Sequence, residues 1–208
     1  FLRALSYFKL VKVFGDVSVN LLALPALSDV PTFVRQPAAD VYNNVIIPDL
    51  NDAMAALSTT IVDGRASKYA AQALLGKVYM QMGNSSSATT HLAAVANASD
   101  FSLKANYSEV FGAANESGNS EIIFSTQISS SIVDEYSFGS DFWNWFVGDD
   151  SKSDFPVDAD LVAAFDASDA SGGGTDLRRA VTLSAAGTTA IKFPKDGGLG
   201  GEHDWIEL

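Results

Sequence analysis

The sequence predicts a mostly α fold, with helical hairpins in its first half and a loop-rich second half containing short β-strands. Three observations predict it. Apolar residues recur at helical spacing in four stretches before residue 98,. Small residues, mainly Ala and Gly, sit inside two of those stretches, where they let helices approach closely. From about residue 105 the periodicity fades and Ser, Asp, Gly and aromatic residues take over, a composition that suits turns and loops. We accordingly divide the chain into a helical scaffold, residues 1–104, and a loop-rich, ligand-binding part, residues 105–208.

The first helix is read from Phe1, Leu2, Leu5, Phe8, Val11 and Val13, with Arg3, Lys9 and Lys12 between them and Gly15 just past its end,. Residues 16–36 contain Pro25 and Pro31 and are expected to form a long irregular loop. A second helix is expected from Pro37 to Ser58, with Val41, Val45, Ile46, Leu50, Ala53, Met54 and Leu57 as its apolar stripe. Pro48 lies inside that stripe and should kink the helix or remove one hydrogen bond,. Asp63-Gly64-Arg65 reads as a turn. Ser67 reads as the N-cap of a third helix that runs to Met82 and is broken by Gly83,. Residues 85–98 form an Ala-rich fourth helix.

The third and fourth helices fit a known period. Leu75, Gly76, Tyr79, Gly83, Ala88, Leu92 and Val95 fall at the offsets where a tetratricopeptide unit places large, small and aromatic residues,. Gln72 stands where that unit has Trp, and its closing Pro is absent. Gly76 and Ala88 should be small because the two helices cross there. No 34-residue repeat extends along the whole chain, so a regular array is not expected.

In the second half, Tyr107–Phe111 reads as a turn of helix, Glu121–Ser125 as a strand, and Asp160–Phe165 as a short helix,. Ser171–Gly174 reads as a flexible loop. Arg179–Leu183 and Ala190–Phe193 could pair as a hairpin, and a helix is expected to begin at Asp204.

Composition narrows the function. The 208 residues carry 25 acidic and 13 basic side chains, a net charge of −12, and the basic residues are scattered. Such a chain repels phosphate backbones, which argues against nucleic-acid binding. It has no Cys and two His, His91 and His203, which excludes disulfides, thiolate metal sites and multi-His centres. No run of 18 apolar residues is present,. The first residue is Phe, inside an amphipathic pattern, and we read the chain as a fragment of a longer one.

Several segments, in order, resemble one family. Phe1-Leu2-Arg3-Ala4, Tyr7-Phe8 and Phe14-Gly15-Asp16-Val17 are followed by Val41-Tyr42, Ile46 and Asp49-Leu50. Gly64-Arg65-Ala66-Ser67-Lys68 with Ala70-Ala71 and Leu74-Leu75 comes next, then Glu121–Phe124, Asp160-Leu161-Val162 with Phe165, Asp176 with Arg178-Arg179, and Asp204–Glu207. Together they resemble the SusD/RagB family of glycan-binding outer-membrane lipoproteins. The resemblance implies a non-catalytic protein at the cell surface of Bacteroidetes-type bacteria, partnered by a SusC-like TonB-dependent transporter. It implies a membrane link only through a lipid anchor, on a Cys that would precede residue 1. It also implies tetratricopeptide-like helices as the scaffold and the loop-rich part as the sugar site.

The sharpest local feature is Phe142-Trp143-Asn144-Trp145-Phe146, in a polar stretch with Tyr136, Asp141, Asp149 and Asp150. Sugars present flat C–H faces that pack on aromatic rings, and their hydroxyls are met by Asp and Asn. Tyr136, Asp141, Phe142, Trp143, Asn144 and Trp145 are therefore the expected ligand-binding residues. The competing reading of each ring is an anchor of its loop to the core.

Asp149–Asp150 and Asp158/Asp160 are the pairs that would have to serve a glycosidase. Hydrolysis needs two carboxyls facing each other across the scissile bond, which neighbouring Asp residues in a loop do not offer. No cofactor is expected. The run Asp166–Gly172 fails the EF-hand pattern because Ala170 takes a ligand position, which leaves a looser Ca²⁺ site among loop Asp residues as the one metal reading,. Arg65 and Lys68 are expected to anchor the helix turn, Arg178 and Arg179 to pair with nearby Asp, and His91 to pack rather than bind. A tetratricopeptide-type protein-interaction scaffold is the alternative function.

Overall fold

The computed structural model describes residues 1–21, 34–127, 156–172, 176–192 and 205–208. The chain is mostly α with a few two-residue strands. It forms two compact units, Phe1–Ala98 and Ser99–Glu207.

In the first unit, α1 spans Leu2–Phe14 and buries Ala4, Leu5, Tyr7, Phe8 and Val11. It ends at Gly15, whose φ of +68° suits a residue without Cβ,. The expected long loop instead begins and ends in a short ribbon. In it, β1 (Val17–Ser18) pairs antiparallel with β2 (Arg35–Gln36); residues 22–33 lie outside the described residues. Side chains hold this ribbon to the helices. The Arg35 guanidinium donates to the Phe14 and Asp16 carbonyls at 2.7–3.0 Å, which places a cation on the open carbonyl end of α1. The Asp16 carboxylate accepts the Ala38 N–H at 2.9 Å, at the start of the next helix.

That next helix is one rod with a wide turn in it. It comprises α2 (Ala38–Val41), a π-helical segment Tyr42–Ile46, and α3 (Ile47–Ala56). The proline effect thus takes the form of a change of register ahead of Pro48 rather than a break. Ile47 N–H bonds the Tyr42 carbonyl, five residues back, and Pro48 enters in the first turn of α3, where a missing N–H costs little,. The wide turn keeps Tyr42, Val45 and Ile46 buried and leaves Asn43 and Asn44 exposed. Arg3 of α1 clasps Asp49 of α3 through two bonds of 2.6 and 2.7 Å, and this holds the Asp49 carboxyl below the usual range.

The hairpin matches its expected elements. α4 is Lys68–Gln81, and the Ser67 hydroxyl caps it by accepting the Ala70 N–H at 3.2 Å. At its other end Gly83 N–H bonds Met80 O and Asn84 N–H bonds Tyr79 O, with Gly83 at φ +75°. These two bonds form a Schellman cap. α5 is Ser85–Ala96, capped by the Asn84 side chain on Ser87 N–H. The anchoring of the turn before α4 is through backbone: Arg65 N–H to Val62 O and Lys68 N–H to Ser58 O.

Gly76 sets the approach of α4 and α5. A Cβ placed on it would lie 2.5 Å from Leu92 Cγ. Overpacking of that kind costs about 1–3 kcal/mol, while Gly→Ala in a helix gains about 1 kcal/mol. Gly76→Ala is therefore expected to destabilise by about 1 kcal/mol, and to become stabilising in a Leu92→Ala background. A double-mutant cycle by urea unfolding measures this, and equal effects in the two backgrounds would refute it.

His91 packs as expected, stacked on Tyr79 with centroids 5.6 Å apart and planes at 14°. Its Nδ1 is buried with no hydrogen-bond partner, and desolvation holds the imidazole below its ordinary value of 6.5. The fold therefore keeps the neutral form, while the unfolded chain takes up a proton near 6.5. Stability from this residue is intact above that value and is lost as pH falls through the folded value. His91→Phe, which keeps the stack, is expected to flatten the pH dependence of the urea midpoint between pH 7 and 5. An unchanged slope would refute it.

In the second unit, two 3₁₀ turns, Tyr107–Val110 and Ala113–Asn115, precede β3 (Ser125–Thr126). The expected strand at Glu121–Ser125 is thus confined to its end. α6 runs Ala159–Gly172, well beyond the expected Asp160–Phe165, so Ser171 and Gly172 belong to a helix rather than a loop. Arg179–Leu183 is not a hairpin strand. α7 spans Leu177–Thr182, and among the described residues a single bridge, Leu183 to Ala190, stands where the hairpin was expected; Phe193 lies outside them. The C-terminal residues expected to start a helix form β4 (Trp205–Ile206), antiparallel to β3. Val110, Phe124 and Leu183 are the buried apolar side chains of this unit among the described residues.

Candidate functional site

The six residues expected to bind ligand, Tyr136, Asp141, Phe142, Trp143, Asn144 and Trp145, lie outside the described residues, as do Asp149 and Asp150. What is described is the framework on either side of them in the chain.

On the upstream side, Asn119 is the central fastener. It is buried, and its amide donates to the Glu109 and Asn115 carbonyls at 3.1 and 2.8 Å while its oxygen accepts the Glu121 N–H at 3.0 Å. The Glu121 carboxylate in turn accepts the Lys104 N–H. Asn119 thus takes the Glu121 N–H with its side chain and the Ile122 N–H with its carbonyl, so this β-rich run begins as a turn,. Beyond it Ser125 pairs with Ile206 and Thr126 with Trp205, so the chain leaves toward residue 128 from a fixed strand. Tyr107 and Phe111 meet edge-to-face at 5.0 Å, and the Lys192 ammonium lies 3.9 Å from the Phe111 centroid.

On the downstream side Pro156 and Val157 lead into α6. Asp158 accepts the Asp160 N–H at 2.8 Å. These two carboxylates therefore share the start of one helix and do not face each other across a cleft, which removes them as a glycosidase pair. Asp176 caps α7 through Arg178 N–H and also binds the Arg178 guanidinium; that pairing holds the Asp176 carboxyl far below the usual range. Arg179 reaches Asp166 of α6 at 3.2 Å. The expected Arg–Asp pairs are both present. Asp166, part of the run weighed as a calcium loop, sits on a helix instead. Among the described residues no group of three or more His, Asp or Glu side chains is placed to hold a metal.

A shallow open cleft of about 570 Å³ lies between α6 and the turn after Leu183. Val157, Val162 and Ala163 supply apolar surface, and Asp166 and Thr188 the polar groups. Gly187, at φ +70°, brings its backbone so close to α6 that a Cβ would sit 3.3 Å from both Val162 methyls. Sequence reading missed this cleft and the Asn119 hub. The Gly-Asn pair at 118–119, with Gly118 at φ +64°, was the signal for the hub.

A family described as starch-binding and associating with the outer membrane, SusD-like, matches residues 1–80. A SusD-like protein from Formosa agariphila, P25, is 31% identical over 143 residues, covering 67% of this chain and 27% of that protein. The chain is a SusD-like polypeptide. It spans about a quarter of the length of the curated relatives it matches. A laminarin-binding SusD-like protein of known structure is 33% identical, with a TM-score of 0.58 over 69% of this chain and 31% of its own. Another structure, determined with a xylogluco-oligosaccharide, superposes over 99% of this chain and 44% of its own with a TM-score of 0.75 at 24% identity. That superposition speaks to the fold alone. No helix among the described residues is long and apolar enough to cross a membrane.

Proposed function

We propose that this SusD-like polypeptide contributes to the binding of a neutral oligosaccharide or polysaccharide at the outer membrane. In this reading it does no chemistry on the glycan, and the protein passes its ligand to a SusC-like TonB-dependent transporter. The observation that carries the reading is the 33% identity to a laminarin-binding SusD-like protein across 69% of the chain. The framework supports it: a fixed strand and a capped helix flank the stretch in which Trp143, Trp145 and Tyr136 alternate with Asp141 and Asn144. The distribution of charge is compatible with a neutral ligand, since residues 99–208 hold nineteen acidic and six basic side chains and would repel an anionic polysaccharide.

Affinity electrophoresis through gels containing laminarin, xyloglucan or starch tests the reading. Retardation by at least one of these glucans, with no reducing sugar released on incubation, is the expected result. Migration unchanged in all three, or release of sugar, would overturn it.

A further inference from the structure

The cleft beside α6 joins an apolar wall to polar atoms with bonding capacity to spare. Pro156, Val157, Val162 and Ala163 form the wall, and Asp166 and Thr188 carry polar atoms. The Arg179 guanidinium belongs to the same rim. Its Nε donates to Asp166 Oδ1 at 3.2 Å. Its Nη2 lies 3.8 Å from where a Cβ on Gly187 would stand, and Gly187 also lines the cleft. Among the described residues, Arg179 Nη1 and Nη2, Asp166 Oδ2 and the Thr188 hydroxyl make no hydrogen bond. The Arg179 side chain is only 23% exposed, and a guanidinium covered to that degree ordinarily satisfies more than one of its five N–H groups.

The turn opposite α6 is preformed. Ser184 N–H bonds Thr189 O, Gly187 N–H bonds Ser184 O and Thr189 N–H bonds the Ser184 hydroxyl, at 2.9–3.2 Å, and Leu183 at its root is buried. The volume of about 570 Å³ falls among small-molecule sites, which span about 300–1,000 Å³. Chemistry says what fits there. An acceptor and a donor side by side match two adjacent hydroxyls, one donating to Asp166 Oδ2 and the next accepting from Arg179. Aliphatic side chains match the C–H face of a pyranose ring by dispersion contacts. An anion would satisfy the guanidinium, but it would meet the Asp166 carboxylate in a part of the chain with nineteen acidic and six basic side chains,.

We infer that this cleft is a sugar subsite, in which Asp166 and Arg179 together hold a vicinal diol of a neutral hexopyranose packed on Val157 and Val162. The inference rests on the reading of the chain as a glycan binder, and it adds a site built without Trp143 and Trp145.

The 208-residue chain, isotope-labelled at its Val and Leu methyls, is titrated by NMR with maltotriose, cellotriose and laminaritriose. Saturable shifts of the Val157 and Val162 methyls with at least one of these sugars are expected, and they should persist when Trp143→Ala and Trp145→Ala are combined. Arg179→Lys keeps the charge beside Asp166 but loses the planar fork. It is expected to weaken binding roughly ten-fold at an unchanged urea midpoint. Ala163→Trp, which fills the cleft from an exposed position on α6, is expected to abolish the shifts. Absence of shifts with all three sugars would overturn the inference. The glycan-binding reading stands in that event if a glucan gel still retards the chain, and falls too if none does. Shifts that vanish with the two tryptophans, or that survive Ala163→Trp, would also overturn it. So would shifts given by glucuronate and not by the neutral sugars, or weaker binding in Arg179→Lys that comes only with a lower urea midpoint.

Discussion

Leu75→Ala is expected to lower the unfolding free energy by about 3 kcal/mol, the middle of the range for removing a leucine side chain from a closed core. Leu75 is fully buried in α4, the helix that packs on α3 on one side and α5 on the other. A cavity there loosens both contacts, and the capped ends of α4 at Ser67 and Gly83 leave the helix little freedom to collapse into it. The effect should appear as a lower urea midpoint at constant slope. Leu103→Ala, at a position 87% exposed, should stay within about 0.5 kcal/mol of the parent. Similar losses for the two substitutions would mean that α4 is not the centre of the core.

The second large effect concerns binding. Trp143→Ala combined with Trp145→Ala is expected to abolish retardation in whichever glucan gel retards the parent. Each lost stacking contact removes the burial of a large ring and about 0.5–1.5 kcal/mol beyond it, so the pair should weaken binding by more than ten-fold. The urea midpoint of the double variant separates the two roles these rings could have. Lost binding with an unchanged midpoint places a ring against ligand. Retained binding, or a midpoint that falls together with binding, would assign the rings to anchoring the loop.

Much of the helical half was legible because its signals are local. Ser67 and Gly83 announce the ends of α4 within a few residues, and the tetratricopeptide spacing marks Gly76 as a point of close approach, although the side chain that meets it is Leu92. The short strands were not legible. Each is two residues long, and β3 finds its partner some eighty positions away, so no window of sequence contains the pair. At Glu121–Phe124 β-propensity pointed to a strand, but Asn119 takes the Glu121 N–H with its side chain and the Ile122 N–H with its carbonyl. In α6 the Asp and Ser residues suggested a loop, yet Ala163, Ala164 and Ala167 between them sustain the helix. The segments that suggested the family prove, where described, to contain fasteners: Arg3 with Asp49, Asp16 under Ala38, and Asp176 with Arg178. They mark how the SusD-like scaffold is held.

The wide turn at Tyr42–Ile46 bears on how this helix can change length. A π turn holds one residue more than the α turn it replaces, so the rod from Ala38 to Ala56 carries a spare residue,. Asn43 or Asn44, both facing solvent, is the one to remove. Removal alone would return the turn to α register and set the Pro48 ring against a carbonyl four residues earlier, a conflict of about 3 kcal/mol. Removal together with Pro48→Ala would avoid it. The extra asparagine and the proline therefore form a linked pair, and relatives that lack one should be free to lose the other.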